Sequence, residues 1–181
     1  MKKLYLIRHA KSSWKEEGIS DFDRPLKGRG IRDAHNTAQW LLQQEESPEL
    51  MISSPATRAI HTALIFAKNL QYPFSDIHLE APIYHGSKQD ILEAVAKVDN
   101  KIQSVYLFGH NPTLTNFVNH CIDHIIDNVP TTGVACLKFE SDDWANLGQE
   151  AELVFFDYPK RRKNKWIFRH TCGSLPAIYL G

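Results

Sequence analysis

Three segments of this chain each place, at the end of an apolar run, residues that could handle a phosphoryl group. In Leu4-Tyr5-Leu6-Ile7-Arg8-His9-Ala10 an arginine and a histidine follow four apolar residues, the pattern of a strand covered on both faces. In open α/β sheets ligands bind beyond the carboxyl ends of the strands, where Arg8 and His9 would stand. Ser53-Ser54-Pro55-Ala56-Thr57-Arg58 and Phe108-Gly109-His110-Asn111-Pro112-Thr113 repeat the layout and add helix-start chemistry. A serine is expected to cap a helix opened by Pro55, with Arg58 in its first turn, and Asn111 to cap a helix opened by Pro112. Helix N-termini offer unpaired N–H groups and a partial positive charge, so both junctions favour an anion.

Two arginines and two histidines suit phosphoryl transfer through a covalent phosphohistidine. A neutral imidazole attacks phosphorus, while two guanidinium forks and a second histidine hold the equatorial oxygens as charge spreads in the transition state. Arginine fits better than lysine because its planar fork pairs two phosphate oxygens at once. With arginines supplying the charge, the chemistry calls for neither a metal nor an organic cofactor. Singly, Arg8 reads as a surface ion pair and His9 or His110 as a satisfied strand-end histidine. Three similar strand ends and two proline-started helices argue for one convergent site.

These residues need a parallel sheet to bring them together, and the sequence supplies its pattern. Strands are expected near 3–7, 50–52 and 105–108, and helices near 31–44, 56–70 and 89–98, an alternation that predicts an α/β fold. Ala34, Ala38, Leu41 and Leu42 recur at helical spacing, as do Ile60, Leu64 and Ala67, giving each helix one apolar stripe. Segments 134–139 and 151–156 read as an antiparallel edge around a polar turn. The result is a three-layer α/β/α sandwich with a mainly parallel, mixed central sheet and helices on both faces. Residues 1–181 are expected to form a single domain, with 158–181 a C-terminal extension packed on it. Within that extension Trp166, Ile167 and Phe168 read as an added edge strand, and the basic run 160–165 as a solvated turn.

Lysine plus arginine equals aspartate plus glutamate at 21 each, so the charge balance calls for neither nucleic acid nor an anionic membrane as partner. The apolar run after Met1-Lys2-Lys3 stops at Arg8, too short for a signal peptide, and no transmembrane run follows, so the protein is expected to be cytoplasmic. Cys121, Cys136 and Cys172 are odd in number and widely spaced, which argues for reduced, buried side chains rather than disulfides or a structural zinc site. His120 and His124 stand one helical turn apart but lack a third ligand, and read as a solvated face. Gly28-Arg29-Gly30 follows Pro25-Leu26 instead of a strand and is not a dinucleotide loop.

Leu-Ile-Arg-His-Ala, Arg-Pro-Leu-x-x-x-Gly, Ser-Ser-Pro-x-x-Arg-Ala-x-x-Thr-Ala and Gly-His-Asn-Pro resemble the signature segments of the histidine phosphatase superfamily, with its phosphoglycerate mutase-like fold. Arg-His-Ala-Lys and the Arg24-Pro25-Leu26 segment are most similar to its small SixA-type phosphohistidine phosphatases. The resemblance implies that His9 is the nucleophile, that Arg8, Arg58 and His110 complete the phosphate pocket, and that Arg24 and Ser12 are secondary contacts to phosphate or leaving group. It also implies a phosphohistidine-bearing protein as substrate, for example a phosphotransfer domain. Mutase and phosphomonoesterase members carry a glutamate acid where Ala81-Pro82-Ile83-Tyr84-His85 puts His85.

A phosphomonoester leaves as a poor alkoxide and needs a proton at once, whereas phosphohistidine can leave as neutral imidazole if its ring is already protonated. The missing glutamate therefore favours an N–P substrate. His85, Glu80 and Asp23 remain open as proton donors, which would suit a phosphomonoesterase acting on a small phosphorylated metabolite. A non-catalytic phosphate-binding module is a third possibility, although a pure binder has no need of a neutral nucleophile.

Overall fold

The computed structural model describes residues 1–14, 18–148 and 150–162. Ten regular elements follow in chain order: β1 (Lys2–Arg8), α1 (Gly28–Gln43), β2 (Leu50–Ser53), α2 (Thr57–Leu70), β3 (Ile77–Leu79), α3 (Lys88–Ala96), β4 (Ser104–Gly109), α4 (Thr113–Cys121), β5 (Val134–Phe139) and β6 (Glu152–Asp157). The strands form one sheet in the order β3-β2-β4-β1-β5-β6. β1 to β4 run parallel, while β5 pairs antiparallel with β1 and β6 with β5. This is the mixed three-layer sandwich expected from the alternation of apolar segments.

Both faces of the sheet are buried because successive side chains of a strand point to opposite sides. Leu4, Leu6, Val105 and Leu107 pack with Ile91 and Val95 of α3 and with Leu114, Phe117 and Val118 of α4. Tyr5, Ile7, Tyr106 and Phe108 face the other way, onto Ala34, Ala38 and Leu41 of α1 and Ala63, Phe66 and Ala67 of α2. The small residues of α1 and α2 let these helices lie close to the sheet and to each other.

Neighbouring strands β1 and β4 send their following helices to opposite faces, α1 to one and α4 to the other. Such a divergence opens a crevice at the carboxyl ends of the two strands, and Arg8, His9 and His110 stand at its lip. Gly30 shows why Gly28-Arg29-Gly30 opens a helix instead of a nucleotide loop. A Cβ there would meet the Lys11 carbonyl oxygen at 2.3 Å, so the first turn of α1 presses on the backbone just past His9.

The helix starts differ from expectation. α2 begins at Thr57, with Ala56 at the cap and no side-chain cap, so Pro55 lies outside it; Ser54 Oγ instead accepts from the Ala56 N–H at 3.3 Å. Arg58 is nonetheless in the first turn. α4 begins at Thr113 with Pro112 at the cap position, and Asn111 donates to Asn128 Oδ1 and the Val129 carbonyl at 3.0 Å each instead of capping. α4 also ends at Cys121, so His120 and His124 do not share a helix face. β3, only three residues with none buried, carries too little apolar signal to be read from the sequence. The stretch Trp166–Phe168, Cys172 and most of the 158–181 extension lie outside the described residues. Cys121 and Cys136 are free and buried. No helix among the described residues is long and apolar enough to cross a membrane.

Candidate active site

Arg8, His9, Arg58 and His110 arrive from three chain segments at the carboxyl edge of the sheet. The His9 and His110 rings lie 5.1 Å apart, and His9, Arg58 and His110 are all buried. Backbone bonds lock this edge together: the His9 N–H donates to the Gly109 carbonyl at 3.1 Å, and the Ala10 N–H to Thr62 Oγ1 at 2.9 Å. Thr62 Oγ1 in turn donates to the Arg58 carbonyl at 2.6 Å, tying the loop after β1 to the start of α2.

The His9 tautomer is set by its neighbour. His9 Nδ1 lies 2.8 Å from the Ala10 carbonyl oxygen, which accepts only, so Nδ1 carries the proton and Nε2 keeps its lone pair. His110 Nε2 lies 2.8 Å from Ser54 Oγ. With the Ser54 hydroxyl donating to Nε2, the His110 proton stands on Nδ1. That Nδ1 is buried and has no partner among the described residues.

Both rings are held neutral at ordinary pH. Burial, ahead of the charges of Arg58, Arg8 and Arg24, pulls His9 from 6.5 to about 4, although the bond to the Ala10 carbonyl opposes it. Burial, then the neighbouring His9 ring and the Arg58 charge, pulls His110 down to about 3, with Asp21 opposing. A nuclear magnetic resonance titration of the His9 ring, identified by its loss in His9→Ala, should therefore show a midpoint well below 6.5. A midpoint at 6.5 or above would contradict this environment. The same groups destabilise the fold in acid: an unfolded histidine takes up a proton near 6.5 and the native one does not. Stability should hold above pH 6.5 and fall as pH drops toward 4, read as a declining denaturant midpoint.

The arginines are gripped through their terminal nitrogens. Arg8 Nη1 donates to Asn128 Oδ1 at 3.1 Å and to the Val129 carbonyl at 2.8 Å. Arg58 Nη1 donates to the Asp21 carbonyl at 2.5 Å and Nη2 to Asp21 Oδ2 at 3.0 Å. The Nε atoms of both arginines are buried and without partners among the described residues. Arg24 and Ser12, also buried, meet directly through Nη1 and Oγ at 3.1 Å, and the Arg24 guanidinium stacks on Trp14 at 3.5 Å.

His85 stacks on Tyr84 at 3.8 Å between ring centroids, and Tyr84 presents an edge contact to His110 at 5.6 Å. His85 is thus one ring removed from the pair. Glu80 pairs with Lys97 at 3.2 Å, and Asp23 accepts from Ser20 Oγ at 2.7 Å. Among the described residues no group of three or more histidine, cysteine, aspartate or glutamate side chains is placed to hold a metal ion.

Three participants escaped the sequence. Asp21 bridges Arg24 and Arg58, Tyr84 donates to it, and Thr62 joins Ala10 to α2. The Asp21–Arg24 spacing of three residues and the Arg58–Thr62 spacing of four were the available signals.

The profile of the histidine phosphatase superfamily (branch 1) matches residues 4–80, a span that contains Arg8, His9 and Arg58. A solved structure from Agrobacterium tumefaciens, assigned as the phosphohistidine phosphatase SixA, superposes with a TM-score of 0.75 at 28% identity, covering 87% of this chain and 98% of that one. This chain is similar to the histidine phosphatase superfamily over residues 4–80 and shares its fold with SixA over most of its length. Other solved phosphatase structures share the fold at lower identity. The protein histidine phosphatase SixA complexed with tungstate has a TM-score of 0.76 at 20% identity over 88% of this chain and 99% of that one. Mycobacterial glucosyl-3-phosphoglycerate phosphatase has 0.62 at 13% over 84% and 98%. Among curated sequences, an uncharacterised Mycobacterium tuberculosis protein is 28% identical over 171 residues, 85% of this chain and all of that protein. An uncharacterised chloroplastic protein of Arabidopsis thaliana is 44% identical over 118 residues, 61% of this chain and 54% of that one.

Proposed function

We infer that this histidine phosphatase hydrolyses phosphohistidine in a protein through a phospho-His9 intermediate, without a metal. The observation that carries the reading is a set of orphaned donors. Arg8 Nε, Arg58 Nε and His110 Nδ1 are buried without partners among the described residues, and the His9 ring beside them has a free Nε2. Buried donors without acceptors are costly, and a phosphoryl group supplies acceptors to all three at once.

In the first step Nε2 of His9 attacks phosphorus, an N–P bond forms, and the bond to the substrate ring breaks. If the other nitrogen of that ring is protonated, the electron pair returns to a neutral imidazole. The phospho-His9 ring keeps its Nδ1 proton on the Ala10 carbonyl, so it too departs as neutral imidazole when water attacks phosphorus. The protons of that water remain on the phosphate. Both halves of the cycle thus proceed without a strong acid.

The carboxylates near the pocket fit this economy of protons. Asp21 sits at about 2, because the Tyr84 hydrogen bond and the charges of Arg58 and Arg24 outweigh the opposing effect of burial. Glu80 and Asp23 are engaged elsewhere. The phosphomonoesterase reading rests on His85, which stacks on Tyr84 beside His110.

Turnover of a phosphohistidine peptide against a simple phosphomonoester, without added metal, tests the choice. A kcat/KM ratio of about 10³ or more in favour of the peptide is expected, the scale that general acid catalysis contributes to a leaving group that needs it. A preference for the ester would overturn the proposal and point to an acid such as His85 or Glu80.

A further inference from the structure

Asp21 is tied into the pocket on every side, yet the chemistry above gives it no step. Its Oδ1 accepts from Arg24 Nε at 2.9 Å and Nη2 at 2.8 Å. Its Oδ2 accepts from Arg58 Nη2 at 3.0 Å and from the Tyr84 hydroxyl at 2.7 Å. Its backbone carbonyl takes Arg58 Nη1 at 2.5 Å. A carboxylate has about four lone-pair sites, and all four are used. Arg58 therefore has both terminal nitrogens tied to one residue, while its buried Nε has no partner among the described residues.

We propose that Asp21 is the positioning residue of this pocket: it turns Arg58 so that the unpartnered Nε meets the phosphoryl group, and its charge limits how tightly the pocket holds an anion. The proposal rests on the phosphatase reading of the same site. Its two halves have opposite signs. Fixing Arg58 in one orientation favours the transition state, because small misplacements of a positioned group are costly to turnover. A negative charge within hydrogen-bonding reach of both guanidiniums offsets part of their attraction for a dianion, which weakens ground-state binding and speeds release of phosphate.

Removing the charge should therefore tighten anion binding and slow turnover together. A residue that merely stabilised its loop would behave otherwise, since a loosened loop weakens both. Asp21 is 42% exposed at the side chain, so its replacement leaves the core intact.

The test is Asp21→Asn in the full chain, with tungstate affinity measured by calorimetry and turnover measured on a phosphohistidine peptide. The amide cannot accept from Arg58 and Tyr84 while also facing Arg24 with its oxygen. Tungstate should bind about fivefold more tightly, by loss of one nearby like charge, and kcat should fall by about 10–100-fold, by loss of Arg58 orientation. Asp21→Glu keeps the charge and should hold tungstate affinity within about twofold of wild type. Should the Asn variant lose the fold by circular dichroism, Asp21→Ser carries the same two expectations.

Tungstate bound no more tightly than by wild type, or an unchanged kcat, overturns the assignment. The binding arm is independent of the physiological substrate. A wild type that binds tungstate but spares phosphohistidine overturns the substrate reading while leaving the Asp21 comparison decisive.

Discussion

His9→Ala is expected to abolish turnover, by roughly 10⁵-fold, while leaving tungstate affinity within a few-fold of wild type. The asymmetry follows from what the ring contributes. Its Nδ1 is spent on the Ala10 carbonyl, and its Nε2 is a lone pair in a neutral ring, which offers a resting phosphate no donor. The oxygens would be held instead by Arg8 Nε, Arg58 Nε and His110 Nδ1, none of which depends on His9. Loss of the ring removes the bond-forming atom and leaves the anion site standing. Stopped reactions quenched in alkali, where phosphohistidine survives, should show a phosphoenzyme in wild type and none in the variant. Retained activity in His9→Ala, or a phosphoenzyme on another residue, would sink the covalent route. A tungstate affinity that collapsed with the ring would mean that His9 is a binding residue first.

How the site is built explains which parts of it could be read beforehand. Arg8, His9 and His110 were legible because a parallel strand writes itself as a short apolar run, and whatever follows the run stands at the ligand end of the sheet. The order of the strands was not legible, since runs such as 50–53 and 104–109 carry no label saying that they pair with each other. Arg58 was placed in a first turn correctly, although by a different helix start, because the constraint was its distance from the strand end and not the identity of the cap.

Asp21 stayed hidden for a physical reason. It lies in a loop of no period, and its importance comes from two guanidiniums that sequence places 3 and 37 residues away. Tyr84 was passed over as the neighbour of His85, yet its hydroxyl reaches Asp21 and its ring edge reaches His110. Contacts of this kind follow from tertiary packing, and no local propensity encodes them.

Arg58→Ala should lower kcat/KM by about 10³-fold, the scale of removing one preorganised donor that faces developing charge in a dry site. The residue is buried, its Nε is one of three orphaned donors, and it carries a full positive charge beside the phosphoryl position. Tungstate affinity should weaken at least tenfold, opposite in sign to the change expected for Asp21→Asn, because here the attraction is removed and the carboxylate is left facing the anion. Arg58→Lys should recover little of either. A single ammonium on a flexible stem cannot bond the Asp21 carbonyl and carboxylate while a third nitrogen points inward. In the double variant the two substitutions should not add: once Arg58 is gone, Asp21 has nothing left to orient, and Asp21→Asn should no longer slow turnover. Additive losses would mean that Asp21 acts through Arg24 or the substrate itself, and a loss under tenfold for Arg58→Ala would remove Arg58 from the phosphate pocket.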